Sequence, residues 1–160
     1  MKDCCIRQNN GRVHPIDRLP LQLRAGKFYI ANLDPSNKPG SHWVAVHRNQ
    51  RGECELFDSY GEQAPLAPEL ERLFTRTKLT RNKQRLQHES SKVCGYYCLF
   101  YIYWRCRGRG IRRIERMFRD GEYRYNDSKV VNFVKDRMCL SKFGIEKNRQ
   151  TCRSIDDFCF

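Results

Sequence analysis

Val93-Cys94-Gly95-Tyr96-Tyr97-Cys98-Leu99-Phe100-Tyr101-Ile102-Tyr103-Trp104 opens on a cysteine and a glycine and then stays apolar for most of its length. A helix that is apolar on every side has to be covered on several sides, so this stretch predicts a buried helix from Cys94 to about residue 107. Gly108-Arg109-Gly110 stops it. The cover lies upstream. Residues 27–33, 42–47 and 53–58 are rich in branched and aromatic side chains and read as strands. Asp34-Pro35-Ser36-Asn37-Lys38-Pro39-Gly40 and Arg48-Asn49-Gln50-Arg51-Gly52 are turn chemistry between them. Short loops predict an antiparallel meander. The expected class is α+β, a mixed and mainly antiparallel sheet packed on one central helix.

The flanks read less sharply. Residues 1–12 look like an irregular lead-in, and the polar stretch up to Pro20 continues it. Pro68 followed by Glu69 and Glu71 predicts a short helix over 68–74, with proline at its first position and acids in the first turn. An edge strand is expected near Arg85-Leu86-Gln87. Ile111, Ile114, Met117 and Phe118 have helical spacing, as do Val130, Val131, Val134 and Met138. Asp127 is the expected N-cap of the last helix, and 142–160 is a polar C-terminal tail. No internal repeat or linker divides the chain, so 1–160 reads as one domain.

Four side chains carry chemistry. A thiol at a helix N-terminus, as at Cys94, sits at the positive end of the macrodipole, which favours the nucleophilic thiolate. His42 follows a glycine-containing loop at the start of a strand, and Asp58 ends the next one. Antiparallel pairing brings such ends together, so the carboxylate can orient the ring. Gln87 stands seven residues before Cys94, close enough for its amide to fold back beside the sulfur as an oxyanion donor. Singly, each has a plainer reading: a packed strand histidine, a turn aspartate, a surface amide, a core cysteine. Jointly they make a cysteine hydrolase set. His47 is expected on the opposite face of the strand from His42, and Cys98 is expected in the core.

Composition narrows the class. The chain has 160 residues and a net charge of +13, from 31 basic and 18 acidic residues. One basic cluster holds Arg72, Arg76, Lys78, Arg81, Lys83 and Arg85. A second holds Arg105, Arg107, Arg109, Arg112, Arg113, Arg116, Arg119 and Arg124. Arginine forks onto phosphate, so non-specific DNA is the expected polyanion, against a merely solubilising surface. Nine cysteines, an odd number with no Cys-x-x-Cys pair, argue against both a disulfide scaffold and a structural zinc site. No run approaches the ~20 apolar residues of a membrane span, and the first residues lack an apolar leader, so a soluble intracellular protein is expected.

The order Gly40-Ser41-His42-Trp43, Leu56-Phe57-Asp58-Ser59-Tyr60-Gly61, then Gln87 through Cys94-Gly95 resembles the adenovirus-type cysteine endopeptidases. It is most similar to those of Polinton/Maverick transposons, virophages and large DNA viruses, over residues 12–108. The resemblance implies the papain-like fold of the ubiquitin-like-protein protease clan. It implies His42 as base, Asp58 as its orienter, Cys94 as nucleophile and Gln87 as oxyanion donor, with Trp43 packed near the imidazole and Gly95 in the cleft. It further implies a monomer that cleaves viral or transposon structural precursors, in the host nucleus or the virion. No metal or organic cofactor is implied; DNA and an activating peptide are the cofactors known in that family. Its members carry a helical segment ahead of the position of Val13, where 1–12 looks unlike a packed helix. Two rival functions share these residues: removal of ubiquitin-like modifiers, and nucleic-acid binding on a scaffold that has lost catalysis.

Overall fold

The central strands form where branched and aromatic residues cluster, and they pair as short loops require. In the computed structural model, which describes residues 10–139, β2 (Phe28–Asn32), β3 (Trp43–Arg48) and β4 (Cys54–Phe57) make an antiparallel meander. Asn32 faces Trp43 across the first pair, and Phe57 faces Ala45 across the second.

The sheet is wider than the meander. β1 (Asn10–Pro15) lies parallel to β2, and β5 (Leu79–Arg81) lies parallel to β4, giving the order β1-β2-β3-β4-β5. Two expectations are corrected here. The end of the lead-in is a strand, because β2 offers it a free edge. The second edge strand sits at 79–81, not at 85–87. There the Leu86 and Gln87 N–H groups both donate to the Ser59 carbonyl, at 2.8 and 3.1 Å, which closes a loop instead of a ladder. The first nine residues and the 142–160 tail lie outside the described residues.

Both faces of the sheet are covered, so all five residues of β2 are buried. On one face Tyr29, Ala31, Val44, Val46 and Leu56 meet Leu70 and Phe74 of α1 (Pro68–Phe74). On the other, Phe28, Ile30, Ala45 and Phe57 meet α2 (Cys94–Arg105). The Phe57 and Tyr101 rings stack at 4.8 Å. Seven consecutive residues would be amphipathic in a surface helix; in α2 every residue from Tyr97 to Tyr103 is buried. α3 (Ile111–Glu115) and α4 (Tyr123–Val134) close its far side with Ile111, Ile114, Val130 and Val134. α4 begins before the expected N-cap. Asp127 lies inside it, buried, and accepts a hydrogen bond from the Tyr97 hydroxyl at 2.9 Å.

Candidate active site

His42 immediately precedes β3 and Asp58 immediately follows β4. Because these strands run antiparallel, the two residues meet at one end of the sheet. His42 Nε2 lies 2.7 Å from Asp58 Oδ1. The ring also faces Cys94, the first residue of α2, closely enough for that side chain to shift its titration. With Nε2 on the carboxylate, Nδ1 is left for the thiol. Burial alone would push the imidazole pKa down. The hydrogen bond that the ring makes to Asp58, the interaction with Cys94 and the charge of the carboxylate outweigh it, raising the pKa from 6.5 to about 9.

The carboxylate is itself held. Asp58 Oδ1 accepts the Tyr60 N–H at 2.8 Å. The fully buried Asn82 grips the Asp58 backbone at both ends: its Oδ1 accepts the Asp58 N–H at 2.8 Å and its Nδ2 donates to the Asp58 carbonyl at 2.7 Å. Gly61 completes the turn at φ +81°, and a Cβ there would come within 2.7 Å of the Gln84 backbone. Both facts demand glycine in Phe-Asp-Ser-x-Gly.

Gln87 is 1% exposed. Its Oε1 accepts the Ser59 hydroxyl at 2.6 Å, and its Nε2 donates to the Ser91 carbonyl at 2.8 Å, on the segment that leads into Cys94. The loop bearing it is clasped from α3 and α4. Glu115 accepts the Lys83 and Gln84 N–H groups, Asn126 Nδ2 donates to the Leu86 carbonyl, and Asp127 accepts the His88 N–H.

The structure therefore brings His42 onto Asp58 and beside Cys94, with Gln87 tied to the residue after Asp58. Gly95 is buried in the first turn of α2. The ring against His42 is Tyr60, with centroids 4.6 Å apart; Trp43 packs at the border of the sheet–α2 core. Tyr60, Asn82 and Ser59 escaped the sequence reading. Tyr60 and Ser59 sit inside the quoted Asp58–Gly61 motif, whereas nothing local marks Asn82.

His47 is buried on the sheet, stacked on Phe28 at 4.2 Å. Burial and the Arg105 charge pull its pKa down to about 4, against the opposing pull of Glu55. Cys98 is buried as expected, and burial pushes its thiol well up.

The second basic cluster divides. Arg105 is committed to Glu55 at 2.8 Å beside the Tyr101 hydroxyl, and Arg112 pairs with Glu115 at 3.2 Å. Arg107 and Arg109 lie over the rings of Tyr103 and Trp104, while Arg113 and Arg116 are exposed. In the first cluster, Arg81 is spent on the carbonyls of Gly61, Glu62 and Ala64. Among the described residues, no three His, Cys, Asp or Glu side chains are grouped to hold a metal ion. No helix there is long and apolar enough to cross a membrane.

The chain is similar to viral cysteine proteases. It is 35% identical over 85 aligned residues to "Cysteine protease S273R" of African swine fever virus (a tick isolate from Malawi), covering 46% of this chain and 31% of that protein. It is 34% identical over 85 residues to "SUMO-1 cysteine protease S273R" of a Namibian warthog isolate of the same virus, with the same coverage. The chain thus spans 31% of the length of the curated relatives it matches. The crystal structure of the African swine fever virus pS273R protease superposes with a TM-score of 0.42 at 27% identity, over 62% of this chain and 43% of that one. No protein-family model matches the chain.

Proposed function

We propose that this chain is a cysteine endopeptidase with Cys94 as nucleophile, His42 as acid and base, Asp58 as orienter and Gln87 as oxyanion donor. The observation that carries the reading is the imidazole held by a carboxylate and set beside the cysteine that opens a buried helix. The likeness to named cysteine proteases supports it.

In the proposed reaction the Cys94 thiol gives its proton to His42, and sulfur bonds to the substrate carbonyl carbon. The carbonyl π pair moves to oxygen, where the Gln87 amide and the Cys94 N–H receive the charge. The C=O re-forms, the C–N bond breaks, and His42 passes its proton to the leaving amine. Water then loses a proton to His42 and displaces sulfur from the thioester, restoring the thiol. These steps call on no metal or organic cofactor.

The substrate has two candidate classes. One is a viral or transposon structural precursor, the adenovirus-type and Polinton/Maverick reading, supported by the order of the His-Trp, Phe-Asp-Ser-x-Gly and Gln-x6-Cys-Gly motifs. It carries with it a monomeric enzyme of the nucleus or virion and a use for an activating peptide. The other is a ubiquitin-like conjugate, supported by the SUMO-1 protease name of the viral relatives. A peptide-library digest beside a SUMO conjugate separates them. In either case Cys94→Ala abolishes cleavage and leaves the unfolding midpoint within a few degrees; retained turnover would overturn the nucleophile. At pH ~6, iodoacetamide labels Cys94 ahead of Cys54 and Cys98, and uniform labelling would favour a catalytically decayed binder.

DNA as a stimulating partner rests on Arg107, Arg109, Arg113 and Arg116, since Arg105 and Arg112 are taken up by carboxylates. With three or four phosphates neutralised, affinity falls roughly 40- to 150-fold between 50 and 200 mM salt. A flat response removes DNA from the reading.

A further inference from the structure

The oxyanion donor of the proposed mechanism is a primary amide, and a primary amide has two ends. Only the NH2 end stabilises an oxyanion; the C=O end repels it. Something must therefore decide which way Gln87 faces. Gln87 is 1% exposed, so bulk solvent does not reach it. The Ser91 carbonyl can only accept, and it lies 2.8 Å from Nε2. The Ser59 hydroxyl lies 2.6 Å from Oε1, is 1% exposed, and has a proton to donate. The same Ser59 holds the Gln87 main chain, whose N–H donates to the Ser59 carbonyl at 3.1 Å.

We infer that Ser59 is a positioning residue for catalysis: its hydroxyl fixes the carbonyl end of the Gln87 amide and thereby turns the NH2 end toward the oxyanion. The inference rests on the protease reading and assigns Ser59 no contact with substrate. The hydroxyl also polarises the amide in the useful direction. By hydrogen-bonding Oε1 it draws electrons from the amide and makes the Nε2 protons better donors. One Nε2 proton is occupied by Ser91, and the other is the one offered to the substrate. Since Ser59 directly follows Asp58, a single dipeptide sets both halves of the site. Its aspartate orients the imidazole at 2.7 Å, and its serine orients the amide.

The role differs from general structural support in what it touches. Attack by sulfur on an alkyl halide develops no oxyanion, so the rate at which iodoacetamide alkylates Cys94 reports the Cys94–His42–Asp58 line alone. Cleavage of an amide needs the oxyanion donor as well. A positioning role through Gln87 separates these two rates; a fold defect lowers both.

The test uses the full chain and a fluorogenic peptide amide ending in Gly-Gly, with a peptide library as second substrate. Ser59→Ala lowers kcat roughly 10- to 100-fold, against the 10²–10³-fold expected for losing an oxyanion donor outright, and leaves KM within about threefold. The iodoacetamide rate at Cys94 stays within about twofold of the wild type. Ser59→Thr, which keeps the hydroxyl, restores most of kcat. In a Gln87→Ala background, Ser59→Ala costs nothing further, because its target is gone. Wild-type kcat in Ser59→Ala would overturn the inference while leaving the protease reading intact. So would a loss that multiplies fully with Gln87→Ala, or a matching fall in the alkylation rate. If Ser59→Ala fails to fold, the Ser59→Thr and Gln87→Ala pair decides by the same kcat comparison, low turnover in Ser59→Thr with a wild-type unfolding midpoint counting against the inference. No cleavage of either substrate or of a SUMO conjugate by the wild-type chain would sink the protease reading itself, and the inference with it.

Discussion

Asp58 shows how one side chain can be both held and holding. Its carboxylate meets the His42 ring and the Tyr60 N–H, while Asn82 pins the backbone on either side. The raised imidazole pKa of about 9 is the result, even though burial works against it. Asp58→Asn removes the negative charge and leaves the shape. The alkaline limb of kcat/KM then moves from near pH 9 down toward or below 6.5, and kcat falls roughly 10²-fold or more. A pH–rate profile reads both effects; an unmoved limb would mean that some other group titrates there.

The loop 82–88 illustrates the element scale. It has no regular hydrogen-bond ladder of its own, and carboxylates and amides from later helices stand in for one. Glu115, 6% exposed, accepts two adjacent N–H groups of this loop and pairs with Arg112. Glu115→Ala leaves those N–H groups unpaired, which costs about 2–3 kcal/mol of stability. It also lowers kcat, since the same loop presents Gln87. Urea unfolding measures the first and turnover the second. Elements resting on local pattern were legible in the sequence: the meander, α1 and α2. The loop was not, because its partners are 30 to 40 residues away and polar. Asp127 looked like a cap for the same reason. It is an acid beside apolar spacing, and only the Tyr97 hydroxyl, reached through the fold, explains why α4 buries it. β5, three residues long, is too short to show alternation. β1 is set by the edge of β2 rather than by its own residues. Of the candidate site, the meeting of His42 and Asp58 at neighbouring strand ends was legible in the chain, whereas Asn82 was not, since an asparagine that grips a distant backbone carries no local signature.

Across the whole molecule, two histidines set opposing limits. The His42 pKa is raised in the folded state, so its contribution is complete below pH 6.5 and fades as pH climbs through about 9. The His47 pKa is lowered to about 4, so the unfolded chain takes up its proton first, and stability drains away as pH falls from 6.5 toward 4. Phe28, Glu55 and Arg105 surround the His47 ring, and its Nδ1 is buried with no hydrogen-bond partner. The loss reaches about 3 kcal/mol at the acid end, from ~1.4 kcal/mol per pH unit. His47→Leu therefore flattens the acid side of a stability–pH curve and leaves the alkaline side unchanged; urea midpoints at pH 4.5, 6.5 and 9 distinguish them.

The clasps on loop 82–88 have a consequence for the chain as it leaves the ribosome. A nascent polypeptide that has emerged through Cys94 already contains all four groups of the proposed machinery. Glu115, Asn126 and Asp127, which seat the amide-bearing segment, arrive later in translation. On the proposed reading, competence to cut would come only after the sheet is laid down, and half-made copies would be poor at digesting themselves or their neighbours.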